Sequence, residues 1–218
     1  MTRVPATRTL ENALRRVGFV HVAGCDEVGR GCLAGPVVAA AVVLHPDRHI
    51  PGVCDSKTVP AAERERLYDE ILCAAIAWAV GAADPSEIDR INIHQASLRA
   101  MQRAVLQLAP LPDIVLVDAF RVPDLPMAQR GVRHGDRRCS AIAAASIVAK
   151  VTRDRQMLAL HGLDPRYGFD RHKGYATSDH LEAVARFGYS DVHRRSFRAA
   201  TLFDTMDSRS PTDDETAD

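Results

Sequence analysis

The sequence predicts an α/β fold built around a mixed sheet. Three observations carry that reading. Valine-rich apolar runs of strand length, at 36–44 (PVVAAAVVL) and 113–118 (DIVLVD), read as buried strands. Segments of helical length lie between the strands. The alternation is irregular after an opening pair of strands, which fits a mixed sheet better than a purely parallel one.

Each element has its own justification. Residues 1–17 read as a short amphipathic helix or a loose lead-in. Residues 19–26 (FVHVAGCD) alternate partly and read as a strand, broken by Gly29, Arg30 and Gly31. The run 36–44 is the second strand, and 45–52 is a turn region. Pro60 opens a helix to about residue 75, since proline suits a first helical turn. A strand follows at 76–83, then a short helix at 84–91. Asn92 with Gln95 three positions on resembles a capping box, and a helix runs from there to about 108. The strand at 113–118 comes next, then loop at 121–130 and a short strand at 131–134. A long helix of small residues spans 139–160. Residues 166–177 read as loop, Thr177 or Ser178 caps a helix to about 187, and 193–197 (HRRSF) is a basic turn or short helix. Beyond 204 the chain is polar and acidic and reads as disordered.

Composition narrows the function. The 218 residues hold 28 Lys+Arg and 28 Asp+Glu, so the formal net charge is zero. The charges are unevenly placed. Residues 204–218 hold six acids and one base, net −5. Residues 130–198 hold 14 bases and seven acids, net +7, and 1–129 are near neutral. A neutral average thus hides a basic third and an acidic tail. The longest apolar stretches, 33–44 and 142–149, are too short to span a bilayer. The opening residues have no apolar leader core, so no secretory signal is expected. Five scattered cysteines without a C-x-x-C pair argue against a disulfide framework or a cysteine zinc site. Reduced thiols in a cytoplasmic protein are expected. Only three of the 28 bases are lysines, Lys57, Lys150 and Lys173.

Four acids stand out by position. Asp26 and Glu27 end the first strand, Asp118 ends the 113–118 strand, and Asp136 precedes the long helix. Strand ends at one edge of a sheet converge, so their side chains can share a ligand. Converging carboxylates repel and call for a cation. An all-oxygen donor set suits Mg²⁺ or Mn²⁺ rather than zinc. Two such ions are the usual machinery for in-line attack on a phosphodiester. The plainer alternative for each acid is a turn residue or a helix cap. Adjacent strand residues also face opposite ways, so Asp26 and Glu27 share a site only if the backbone leaves strand geometry there. Gly29 and Gly31 make that departure available.

On spacing alone, Gly29-Arg30-Gly31 is either a plain turn or a backbone that approaches a phosphate or sugar closely. A P-loop is excluded, because Gly35 is followed by Pro36 and not by Lys-Ser/Thr. Asp55-Ser56-Lys57 and His172-Lys173-Gly174-Tyr175 each place a lysine in a loop. Basic loops with an exposed tyrosine suit a nucleic-acid groove; a solvated face and a core tyrosine are the alternative.

Together these stretches closely resemble bacterial ribonuclease HII, the type 2 ribonuclease H. The match rests on 25–36 (CDEVGRGCLAGP), 55–57 (DSK), 115–118 (VLVD), 135–136 (GD) with 142–154 (IAAASIVAKVTRD), 172–175 (HKGY) and 193–197 (HRRSF). It runs in order from about 19 to 200. The resemblance implies a ribonuclease H-like fold, with a mixed five-stranded sheet flanked by helices and a C-terminal helical segment. It divides the chain into a lead-in at 1–18, a catalytic domain at 19–203 and an acidic tail at 204–218. It implies cleavage of the RNA strand of RNA–DNA hybrids, and cleavage 5′ of ribonucleotides embedded in duplex DNA. The ends would be 3′-hydroxyl and 5′-phosphate, and the enzyme a cytoplasmic monomer with no membrane partner. Asp26, Glu27, Asp118 and Asp136 match the ligands of two Mg²⁺ or Mn²⁺ ions. Gly29, Arg30 and Gly31 match the loop that reads the 2′-hydroxyl, Tyr175 packs on the sugar, and Lys57 contacts a phosphate. The sequence departs from the family at His134, where Lys is common, and at Ala119 and Ala176, where Gly is common. Asp154 lies about five helical turns beyond Asp136 and is assigned a salt bridge. The rival readings are a non-catalytic nucleic-acid binder and a carboxylate 3′–5′ exonuclease.

Overall fold

Strand β1 (Val22–Val28) forms the axis of a five-stranded sheet in the computed structural model, which describes residues 5–197. β2 (Val37–Leu44) pairs antiparallel with β1, and β3 (Ala75–Ala83) antiparallel with β2. On the other side, β4 (Ile114–Asp118) and β5 (Ala128–Val132) run parallel to β1, giving the order β3-β2-β1-β4-β5. The sheet is mixed, as expected. β2 is buried along its whole length because helices cover both faces, which explains its unbroken apolar run.

The helices sort by face. α1 (Thr9–Arg16), α2 (Ala61–Ala74) and the long α6 (Ser140–Leu163) cover one side. α3 (Pro85–Ile91) and α4 (Ile93–Leu106) cover the other. Asn92 caps α4 by accepting from the Gln95 amide at 3.1 Å, so the capping-box reading holds at its N-terminal half. α6 lies close to β1 because both surfaces are made of small residues. A Cβ on Gly24 would stand 2.1 Å from the Ala141 carbonyl carbon. The first turn of α6 is served by α1, where the buried Glu11 carboxylate accepts from the Ala141 amide at 2.9 Å.

After α6 the chain forms a 3₁₀ turn (Pro165–Tyr167), α7 (Phe169–His172) and α8 (Ser178–Phe187). Thr177 caps α8. The 166–177 region is therefore not plain loop. The edge strand also differs from expectation. β5 starts at Ala128, within the stretch read as loop, and ends at Val132 rather than 134. A short α5 (Gly135–Arg138) then leads into α6. Among the described residues, no helix is long and apolar enough to cross a membrane. All five cysteines are free, four of them buried. The acidic stretch 204–218 lies outside the described residues.

Candidate active site at the carboxyl ends of β1 and β4

β1 and β4 run parallel and adjacent, with Cys25 opposite Val117, so Asp26 and Asp118 end up side by side at one edge of the sheet. The alternation of each strand puts both on the α6 face, where Val22, Ile114 and Leu116 join the core beneath that helix. Asp26 is buried. The Glu27 amide donates to its Oδ1 at 2.8 Å, and Ser146 of α6 donates to the same carboxylate. Ser146 is itself held by Ser56 at 2.8 Å, which ties the 55–57 loop to the site.

The expected break in strand geometry is not there. β1 stays in register through Asp26 opposite Ala40, Glu27 opposite Ala39 and Val28 opposite Val38. Glu27 therefore faces away from Asp26. The longer Glu side chain at the open end of the strand still places its charge within reach of Asp118. Its Oε1 accepts from Arg30 at 3.2 Å, and the Arg30 guanidinium stacks 4.7 Å from the Phe120 ring. Arg30 is thus engaged inside the site.

Asp136 comes in from α5. The Gly135 amide donates to Asp118 Oδ1 at 2.8 Å, which fastens α5 to the end of β4. Asp55 sits behind it, accepting from the Lys57 amide at 3.0 Å and pairing with Arg137 at 3.3 Å. Lys57 is exposed and close enough to act on the Asp136 charge.

The electrostatics follow from this crowding. Burial raises Asp26 well above the usual carboxylate range, and the Glu27 and Asp118 charges add to it. Glu27 is raised by burial and by Asp118, against the opposing pull of Arg30. Asp136 is raised by burial, then by Asp55 and Asp118, with Lys57 and Arg137 opposing. The four carboxylates are neighbours, yet among the described residues no three His, Cys, Asp or Glu side chains already form a metal cage. The reason lies in the partners: Asp26, Glu27 and Asp118 each turn an oxygen onto a local donor. The donor chemistry fits a hard divalent ion, since it is all oxygen and its members disfavour one another's charge.

The glycine loop lies beside the acids and is held rigidly. Gly29 has φ of +92°, and a Cβ there would meet the Arg153 Nε at 2.2 Å. Two buried arginines pin the loop, and the sequence reading assigned neither. Arg194 donates from Nε to Gly35 O at 3.0 Å, and from its two terminal nitrogens to Arg30 O at 3.0 Å and Gly29 O at 2.7 Å. Arg153 donates to the carbonyls of Pro36, Ala34 and Lys173 at 2.9–3.0 Å. Both are 0% exposed. Tyr175, in the loop after α7, forms a backbone bridge to Cys32; the residue is 39% exposed and its ring centre lies 5.8 Å from the Lys150 Nζ. The structure thus brings Gly29, Arg30, Gly31 and Tyr175 together beside the carboxylates. Asp154 pairs with Lys150 at 2.7 Å, in the salt-bridge role expected of it.

The comparisons with known proteins agree in one direction. A family model described as Ribonuclease HII matches residues 23–200. A ribonuclease HII of Bacillus cereus is 54% identical over 187 residues, covering 86% of this chain and 72% of that protein. The solved ribonuclease H2 from Pyrococcus horikoshii superposes with a TM-score of 0.70 at 24% identity, over 88% of this chain and 100% of the other. A Bst ribonuclease HIII solved in complex with Mn²⁺ superposes with a TM-score of 0.66 at 22% identity, over 91% of this chain and 73% of the other.

Proposed function

The chain belongs to the ribonuclease HII family, and from that premise we propose that it cleaves 5′ of ribonucleotides embedded in duplex DNA, as well as within longer hybrids. Family membership makes it a divalent-metal-dependent endonuclease that degrades the RNA of RNA–DNA hybrids. The finer reading rests on one observation: Asp26 and Asp118 stand side by side at the ends of paired strands, with a rigid glycine loop directly after one and Asp136 fastened to the other.

In this reading Asp26, Glu27, Asp118 and Asp136 hold the ions. Two Mg²⁺ or Mn²⁺ ions would supply a water deprotonated near neutral pH and charge neutralisation at the leaving 3′ oxygen. The remaining work falls to the chain. The Gly29–Gly31 backbone, stripped of side chains at its two ends, lets a sugar edge approach to hydrogen-bond distance. The 2′-hydroxyl is the group that marks RNA against DNA, so a fixed backbone there discriminates where a mobile one does not. Tyr175 offers a flat, partly exposed ring to the sugar beside it, and Lys57 an ammonium to a phosphate. Arg30, held by Glu27 and Phe120, positions the acid as well as the loop. The products carry 3′-hydroxyl and 5′-phosphate ends.

We assign 19–203 to the catalytic domain, 1–18 to a lead-in and 204–218 to an acidic tail. We place the enzyme in the cytoplasm as a monomer; its free thiols fit a reducing compartment. The test is a covalently closed duplex with one ribonucleotide, incubated with Mg²⁺ or Mn²⁺ and with chelator. Nicking that requires metal and vanishes in Asp118→Asn, with duplex binding retained, is the expected result. No nicking of the closed circle, or wild-type rates from Asp118→Asn, overturns the reading.

A further inference from the structure

A cavity of about 680 Å³ opens between α1, the edge strand β5 and α5. Four arginines line it, Arg130, Arg133, Arg137 and Arg138, together with the hydroxyls of Thr7 and Thr9. All four arginines and both threonines are exposed. Arg137 is paired with Asp55. Arg130, Arg133 and Arg138 have no acidic partner among the described residues. Three unpaired guanidiniums around one concavity give it a positive potential that draws an anion in. β5 is the outer strand of the sheet, so part of its backbone also faces the cavity without a strand partner.

The anion is identified by position. Val132 pairs with Asp118, and Arg133 follows it directly. Arg137 and Arg138 follow Asp136 on α5. The cavity therefore begins where the carboxylates end. A nucleic-acid strand crossing those carboxylates presents a phosphate about every 3.4 Å of helix axis and has to continue past one side of them. Guanidinium forks match phosphate oxygens in pairs, and threonine hydroxyls add neutral donors.

We propose that this arginine-lined cavity is a binding site for backbone phosphates of the substrate duplex outside the cleaved step. The inference rests on the nuclease reading above and adds a second anchoring point to it. The site reads charge and carries no sequence or sugar information, so it holds DNA and RNA strands alike.

The probe is a 30-base-pair duplex with one central ribonucleotide, and the same duplex as all-DNA. The variant is Arg130→Gln/Arg133→Gln/Arg138→Gln. Its KM on the ribonucleotide duplex rises about tenfold or more at moderate salt while kcat at saturation stays at the wild-type value. Its binding to the all-DNA duplex, measured in chelator, weakens in parallel. The slope of log K against log salt becomes shallower by about 2–3, near one per arginine. An unchanged KM and slope overturns the proposal, and so does a loss confined to kcat. Should the triple variant unfold, the three single variants decide: each lowers the slope by about one, and no change in any of them refutes the site. The all-DNA arm keeps the two claims separate, since it reports on the cavity even if the ribonucleotide duplex is not cut.

Discussion

Replacing Arg194 by methionine keeps most of the stem and removes the fork that holds the glycine loop. Three charge-assisted bonds to Gly29, Arg30 and Gly35 carbonyls disappear. Bonds of this type contribute about 1.5–3 kcal/mol each, so the gross loss is about 4.5–9 kcal/mol. Part of it is offset. Arg194 is buried with no ion pair among the described residues, only the more distant Asp89 carboxylate opposing, and burial pulls its guanidinium down to about 10, still charged at neutral pH. That net shift from 12.5, with burial its largest cause, corresponds to about 3 kcal/mol against the charged form, which the variant recovers. The net cost is therefore about 1–6 kcal/mol, with the middle of that range expected. For a domain of this size, about 3 kcal/mol lowers Tm by roughly 6–12 °C. Cleavage of a ribonucleotide-containing duplex, assayed well below both transitions, should fall further than the folded fraction explains, because the loop loses its fixed backbone. Arg194→Lys restores the charge but not the three-way fork and should recover only part of both losses. A methionine variant with wild-type Tm and kcat would refute the reasoning, as would full rescue by lysine.

Three further outcomes follow from the geometry. Ala119 sits at φ +57°, a conformation that strains any Cβ, and Ala119→Gly should stabilise the fold by about 0.5–1 kcal/mol in chemical denaturation, the strain relief exceeding glycine's entropy cost. Gly24→Ala drives a methyl into the Ala141 backbone and should cost about 3 kcal/mol or more, read as a lower denaturation midpoint. His180 and His193 share a buried bond of 3.0 Å between their Nε2 atoms, and burial lowers each to about 4, with His172 adding to it for His180 and His180 for His193. Their folded values lie below the unfolded 6.5, so stability is full above pH 6.5 and declines as pH falls toward 4, by about 3 kcal/mol for one such ring. Imidazole titration by NMR checks this directly; a midpoint near 6.5 for both rings would contradict it.

Much of the framework was legible because burial writes itself into composition. β2 and β4 announce themselves as valine runs since both faces are covered. β5 did not, because an edge strand of sequence AQRGV has only Val132 buried and shows no alternation to read. α7 was hidden among glycine and aromatic residues whose short helical turn depends on tertiary packing of Phe169 and His172. In the site, acids at strand ends were visible from sequence. Their mutual orientation was not, since the unbroken register of β1 depends on its partner β2. Arg153 and Arg194 escaped notice for a plainer reason. An arginine in a basic stretch looks solvated, and these two bond carbonyls more than 100 residues away, apart from Lys173 O. Both of these buried cations are arginines, the base the chain uses almost everywhere, so their type gave no signal.

The distance between Arg194 and its acceptors also sets an order in time. The Gly29 carbonyl and its donor are separated by 165 residues. At about 5–20 residues per second, a ribosome takes roughly 10–30 s to make the second after the first. Throughout that interval β1 and β2 can pair as a hairpin, and β4 can join them once it emerges, because those partners are made earlier. The loop after β1 waits for its long-range fasteners, Arg153 once α6 has emerged and Arg194 only at the end of the interval. A nascent chain therefore lines up its row of acids well before the two arginines fix the backbone beside them.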